Sequence, residues 1–147
     1  MIEPIEISIQ IDALPPVVWK HLTDPQHMKC WMGSPEMNLQ IHTSWHVGDS
    51  IRITGHHHIA FENKGTVLRF EPFRLLQYTH LDSISCLADI PENHTHLTFR
   101  LDPQDGQTVL YLKAEEFPTE TIYKHLRFYW QGTLVLLRNF IGQQGQL

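Results

Sequence analysis

Near the start of the chain, Ile5, Ile7, Ile9 and Ile11 alternate with Glu6, Ser8, Gln10 and Asp12. A strict period of two in β-branched residues predicts a strand with one buried face. Pro15 and Pro16 end it, and proline suits a first helical turn, so Val17–Leu22 is expected to be a short helix. Gln26–Met32 reads as a second short helix, with Trp31 near its end and Gly33 as its cap. From residue 37 the pattern changes to strands. Leu39 and Ile41 alternate with polar neighbours, residues 45–50 form a turn, and Ile51 and Ile53 continue a strand to Gly55. Glu62-Asn63-Lys64-Gly65 predicts an irregular point, followed by strands over 66–70 and 75–81 and a loop over 82–93. Leu97, Phe99 and Leu101 mark another one-sided strand. The five residues Asp102–Gly106 predict the turn of a hairpin whose second strand runs from Thr108 to Ala114.

The last segment is helical. Thr119 is placed to cap it, with Glu120 in the first turn. Ile122, Leu126, Tyr129, Thr133, Leu137 and Phe140 recur every three or four residues, which makes one apolar face, and Gly142 is expected to end the helix. Strands segregated from helices indicate an α+β domain with an antiparallel sheet gripping the long helix.

Composition narrows this little. At 147 residues, 41% hydrophobic and 18% charged, the chain is expected to be a single domain over 1–147 that folds without a disulfide or metal. A net charge of -5 argues against nucleic acid, which wants a clustered basic surface. The start of the chain lacks a signal-peptide pattern, and no apolar run is long enough to span a membrane. Cys30 and Cys86 match no metal or redox spacing and read as free thiols of a cytoplasmic protein.

Several segments carry a resemblance. They are Thr23-Asp24-Pro25 followed by Trp31, then Trp45–Ile51, Gly55, Lys64–Pro72, Leu75–Leu81, Pro91–Leu101, Asp105–Leu112 and Tyr123–Ile141. In order and spacing the chain resembles homologues of the C-terminal domain of the activator of the ninety-kilodalton heat-shock chaperone ATPase. These belong to the SRPBCC, or START-like, superfamily. The resemblance implies a helix-grip fold, as in pollen allergens: a curved antiparallel sheet of six to seven strands around a C-terminal helix, with two short helices after the first strand. It also implies a cavity between sheet and helix, often filled by an apolar small molecule. It does not imply one activity, since relatives include carriers, cyclases and co-chaperones. The eukaryotic activator has a further N-terminal domain that engages the chaperone, and this sequence leaves no room for one.

Among residues that could carry chemistry, the eleven histidines stand out. His56, His57 and His58 are adjacent, and successive strand side chains point to opposite faces, so they suit exposed hairpin positions better than a shared zinc. No metal or cofactor is expected. Glu115, Glu116, Asp82, Asp89 and Glu92 read as solvated charge, and Asp82 is not expected beside His80, on the ground that adjacent strand residues diverge. Neither cysteine has the setting of a catalytic thiol. Trp31, Tyr78, Phe99, Phe117, Tyr129 and Trp130 would cluster on the inner surface, and Gly132 hints at space between helix and sheet. The leading expectation is non-catalytic binding of a small, largely apolar molecule, with Trp31, Tyr78, His80, Phe99, Tyr129 and Thr133 in the cavity wall. The alternatives are a protein-interaction or co-chaperone-like module, as monomer or homodimer, and a cyclase- or hydrolase-like enzyme using inward-facing His80.

Overall fold

The computed structural model describes residues 2–144. Seven strands form one antiparallel sheet: β1 (Ile5–Ile11), β2 (Gln40–Thr43), β3 (Ser50–His57), β4 (Ile59–Glu71), β5 (Leu75–Asp82), β6 (Thr95–Gln104) and β7 (Gln107–Glu115). Their order across the sheet is β1-β7-β6-β5-β4-β3-β2. Strands β2 to β7 thus follow one another as a meander, and β1 returns to pair with β7. The two edges, β1 and β2, are bridged by the short helices α1 (Pro15–Thr23) and α2 (Pro25–Trp31). The long helix α3 (Glu120–Gln144) lies against the concave face. This is the helix-grip α+β architecture.

Local chemistry explains most boundaries. Asp24 caps α2 by accepting a hydrogen bond from the Gln26 N–H at 2.9 Å. Thr119 caps α3 in the same way through the Ile122 N–H at 3.1 Å. The sheet bends where the β4–β5 register shifts between Val67 and Arg69, an extra residue that increases local twist. Nearby, the two backbones approach so closely that a Cβ on Gly65 would stand 1.7 Å from the Thr79 carbonyl oxygen. Only glycine fits there.

Four expectations are corrected. Residues 62–65 are not irregular but lie inside the 13-residue strand β4, and the chain reverses instead at His57-His58, where His58 has φ 64°. Pairing with β3 and β5 on both sides outweighs the turn chemistry of Asn63 and Gly65. The β6–β7 turn has two residues, not five: Gln104 pairs with Gln107, and Asp105 and Gly106 both take positive φ. Asp-Gly is the pair that such tight turns favour, and Pro103 is tolerated because β5 does not extend past its partner Arg100. Helix α3 continues through Gly142 to Gln144. Its fully buried residues are Leu126, Trp130, Thr133, Leu134, Leu137 and Ile141, so the buried face is rotated from the expected stripe. The reason is that α3 covers two things at once. Leu134, Leu137 and Ile141 seal the core, while Tyr129, Trp130, Thr133, Leu136 and Phe140 line a cavity.

Candidate functional site

The core beside α3 is a chain of aromatic rings. Trp45 stacks on Phe70 at 5.6 Å between centroids, Tyr78 stacks on Phe99 at 5.9 Å, and Phe99 meets the edge of Trp130 at 5.4 Å. Trp31 completes it 6.5 Å from Trp130 and donates its indole N–H to the His21 carbonyl at 2.9 Å. Trp45, with φ 60°, ties β2 to the α1–α2 junction by donating to the Thr23 carbonyl at 2.7 Å. Trp31, Tyr78, Phe99 and Trp130 are fully buried, Trp45 and Phe70 partly so, and together they pack beneath one end of α3.

Beyond the rings, sheet and helix separate around a cavity of about 740 Å³. That is within the usual range for a small-molecule site. Its floor comes from β3, β4, β5 and β6, its roof from α3, and its rim from the segment after α2 and from Ile84. Met37, Ile53, Phe61, Leu97, Leu126 and Phe140 supply much of the apolar wall. Tyr129 fastens roof to rim by donating its hydroxyl to the Met32 carbonyl at 2.5 Å.

The expected wall residues divide. Tyr78, His80, Tyr129 and Thr133 line the cavity. Trp31 and Phe99 do not: both are fully buried behind it, Trp31 under α3 and Phe99 between Tyr78 and Trp130. Alternation assigns a side chain to a face of the sheet, but that face carries solid core at one end and cavity at the other. Phe117 leaves the cluster and packs on Tyr123. Gly132 opens onto empty space away from the sheet, so it does not mark a close approach of α3. Asp82, in contrast, does stand on the same face as His80, because residues two apart on a strand return to one side.

The polar part of the wall is unusual in being undersupplied with partners. His80 faces the cavity from β5, and burial pushes its pKa down to about 4, against the opposing pull of Asp82 and with the help of His125 and His94. Burial likewise raises the Tyr78 hydroxyl, reinforced by neighbouring Tyr129, and pushes Tyr129 up to about 12 although Thr133 acts in the opposite direction. The Trp130 indole N–H and the Asn63 side-chain oxygen are buried without a partner. Sequence reasoning missed Asn63, because it lay in the expected turn, and no pattern in the sequence could have placed the rim residues Met32 to Leu39.

A second polar cluster lies on the opposite face of β5. Thr79 Oγ1 stands 3.0 Å from His94 Nδ1, His94 Nε2 stands 2.7 Å from Asp89 Oδ1, and Lys64 Nζ is 3.1 Å from Asp89 Oδ2. The order is that of a nucleophile triad, but Thr79 Oγ1 already accepts the Thr66 N–H at 2.9 Å, and both Thr79 and His94 are buried. Its effect is to pin the 83–94 segment against the sheet. Hydrogen bonds from His94 and Lys64 hold the Asp89 carboxyl below its ordinary range. Asp89 is therefore paired rather than merely solvated. Among the described residues no three metal-donor side chains converge, and no helix is long and apolar enough to cross a membrane.

The profile of the family described as Activator of Hsp90 ATPase homolog 1-like protein matches residues 12–142. The chain belongs to this family. The match takes in every element from the start of α1 to the last turns of α3, so the cavity lies wholly within the family domain. Known structures agree. A Cytophaga hutchinsonii protein solved in solution is 26% identical with a TM-score of 0.80, over 99% of this chain and 97% of that one. A Chromobacterium violaceum crystal structure is 18% identical with a TM-score of 0.80, over 94% and 96%. The Aha1 dimer of Colwellia psychrerythraea is 19% identical with a TM-score of 0.74, over 95% and 96%. Among curated proteins none matches the sequence.

Proposed function

We propose that this family member binds a small, largely apolar molecule, without catalysis, in the cavity between sheet and α3. The observation that carries this reading is the cavity itself: about 740 Å³ of space walled by aliphatic and aromatic side chains, with a few convergent polar groups. A void of that size costs stability that a bound molecule would restore. Non-catalytic use is favoured because burial leaves His80 a weak base, while Asp82 is engaged in capping the following turn through the Ile84 N–H at 2.9 Å. Native mass spectrometry of the freshly purified protein tests the reading. The expected result is a small-molecule adduct that disappears on denaturation. Apoprotein alone, together with no uptake of any uncharged fluorescent probe, would contradict it.

A second reading is a protein-facing module. Phe128 is 83% exposed on α3, and Val135 is exposed two turns on. With a dimeric protein among the similar structures, a second copy is the partner we put forward for that face. Sedimentation would show a dimer that Phe128→Ser dissociates; a monomer at all concentrations would dismiss it.

A further inference from the structure

Among the described residues the cavity wall carries one thiol. Cys30 lines the cavity from the last turn of α2, and the residue is exposed, so it stands where the cavity meets solvent. Resting on the cavity reading, we infer that Cys30 is a covalent modification site served by the cavity: a largely apolar α,β-unsaturated carbonyl compound that enters it is joined to this thiol in preference to Cys86. The thiolate sulfur bonds to the β-carbon, the π pair of the double bond moves to the α-carbon, and that carbon then takes a proton. The net change is addition of S–H across the double bond, so nothing leaves and no oxidant is needed.

Position is the first part of the case. The backbone that carries Cys30 is held just beyond it. The neighbouring Trp31 indole is tied to the His21 carbonyl, and the Met32 carbonyl is held by Tyr129 from α3. The thiol itself donates to the Gln26 carbonyl at 3.4 Å and is in no disulfide. A nucleophile on a fixed support gains from a reactant bound beside it, because a bimolecular step becomes an intramolecular one. Cys86 is the internal comparison. It is likewise a free, exposed thiol, but it does not line the cavity. An apolar electrophile therefore meets Cys30 from a bound state and Cys86 only from solution.

The second part is a polar group inside the same cavity. Tyr78 lines it, is 3% exposed, and its hydroxyl has no hydrogen-bond partner among the described residues. Unlike the Trp130 indole N–H and the Asn63 side-chain oxygen, that hydroxyl is not sealed off from the cavity. A phenol donates, and a conjugated carbonyl brings an acceptor oxygen on an otherwise apolar body. The other nucleophiles of the wall are weaker competitors. The hydroxyls and amides at Ser34, Thr133, Asn139 and Gln143 do not add to such carbons unaided, and a thiol outpaces the rings of His57, His80 and His125 at them.

The test uses the wild-type protein and two probes with one reactive group and different tails, N-methylmaleimide and N-octylmaleimide. Each is added at neutral pH, and peptide mapping by mass spectrometry gives the labelling rates of Cys30 and Cys86. The Cys30-to-Cys86 ratio is expected to be at least about tenfold higher with the octyl probe than with the methyl probe. N-phenyl-1-naphthylamine, an uncharged dye, should slow octyl labelling of Cys30 when bound beforehand and leave Cys86 unchanged. Thr133→Leu should lower the octyl ratio towards the methyl one. If the dye binds but the ratio is the same for both tails, the thiol inference fails while the cavity reading stands. An octyl adduct that forms first on a wall histidine would overturn it in the same way. If the dye does not bind and the ratio ignores the tail, the cavity reading falls and takes this inference with it.

Discussion

The phenol of Tyr129, in the middle of α3, donates to the main-chain carbonyl of Met32, just past the end of α2, across 2.5 Å. This one bond ties the roof of the cavity to its rim. The Met32 carbonyl lies at a helix end, where carbonyls lack intrahelical partners.

Removing the donor should therefore cost more than an ordinary surface bond. Tyr129→Phe keeps the ring and its edge contact with Trp130 at 5.0 Å, but leaves the Met32 carbonyl unmet. The expected loss is about 1–2 kcal/mol in urea unfolding. The rim should also loosen, seen as faster amide exchange over residues 32–37. Unchanged stability and exchange would show that the bond does not hold the rim.

Two glycines should respond in opposite directions. At Gly65 an added Cβ would meet the Thr79 backbone at 1.7 Å, and backbone cannot move aside cheaply. Gly65→Ala should destabilise by about 3 kcal/mol or fail to fold. At Gly132 an added Cβ meets nothing within 4 Å and the residue lies inside a helix. Gly132→Ala should stabilise by about 0.5–1 kcal/mol. Thermal melts of the pair check both, and a destabilising Gly132→Ala would mean that α3 is constrained there.

Acid should destabilise the fold earlier than carboxylate titration would. Burial pushes His80 down from 6.5 to about 4. It also lowers His21, which donates its Nδ1–H to the Val17 carbonyl at 2.8 Å and packs against His27 at 4.6 Å. The unfolded chain takes up a proton at each near pH 6.5, whereas the folded chain resists. Stability is therefore full above about 6.5 and falls as the pH drops, the His80 part being lost down to about pH 4. That part is roughly 2 kcal/mol, since the ring faces a cavity and not solid core. His80→Gln should flatten the slope of unfolding free energy between these limits. An equal slope in wild type and variant would remove His80 from the explanation.

The sequence made the element order legible because its signals were local. The Ile5–Ile11 alternation, the Thr119 cap and the three-to-four-residue period of α3 each specify their own neighbourhood. The site was less legible because it depends on depth. Tyr78, His80 and Phe99 all point to the concave side, but only the edge contact with Trp130 decides that Phe99 is core while His80 meets empty space. Asn63 was hidden by turn-forming neighbours that long-range pairing overrides. Met37 and Leu39 enter the wall because the segment after α2 folds across the rim, which no periodicity announces.

The central claim is that the space between sheet and α3 is a binding cavity, and Thr133 is where it can be tested. Thr133 is buried on α3 at the point where the roof meets that space. Thr133→Leu adds volume there. Overpacking a filled core costs about 1–3 kcal/mol, whereas filling a void does not. The measurement is N-phenyl-1-naphthylamine titration of wild type and Thr133→Leu, with the thermal midpoint of each. Uptake at least about fivefold weaker in the variant, with the midpoint unchanged or raised, is the result the account predicts. A clear fall in the midpoint with dye uptake unchanged would contradict it.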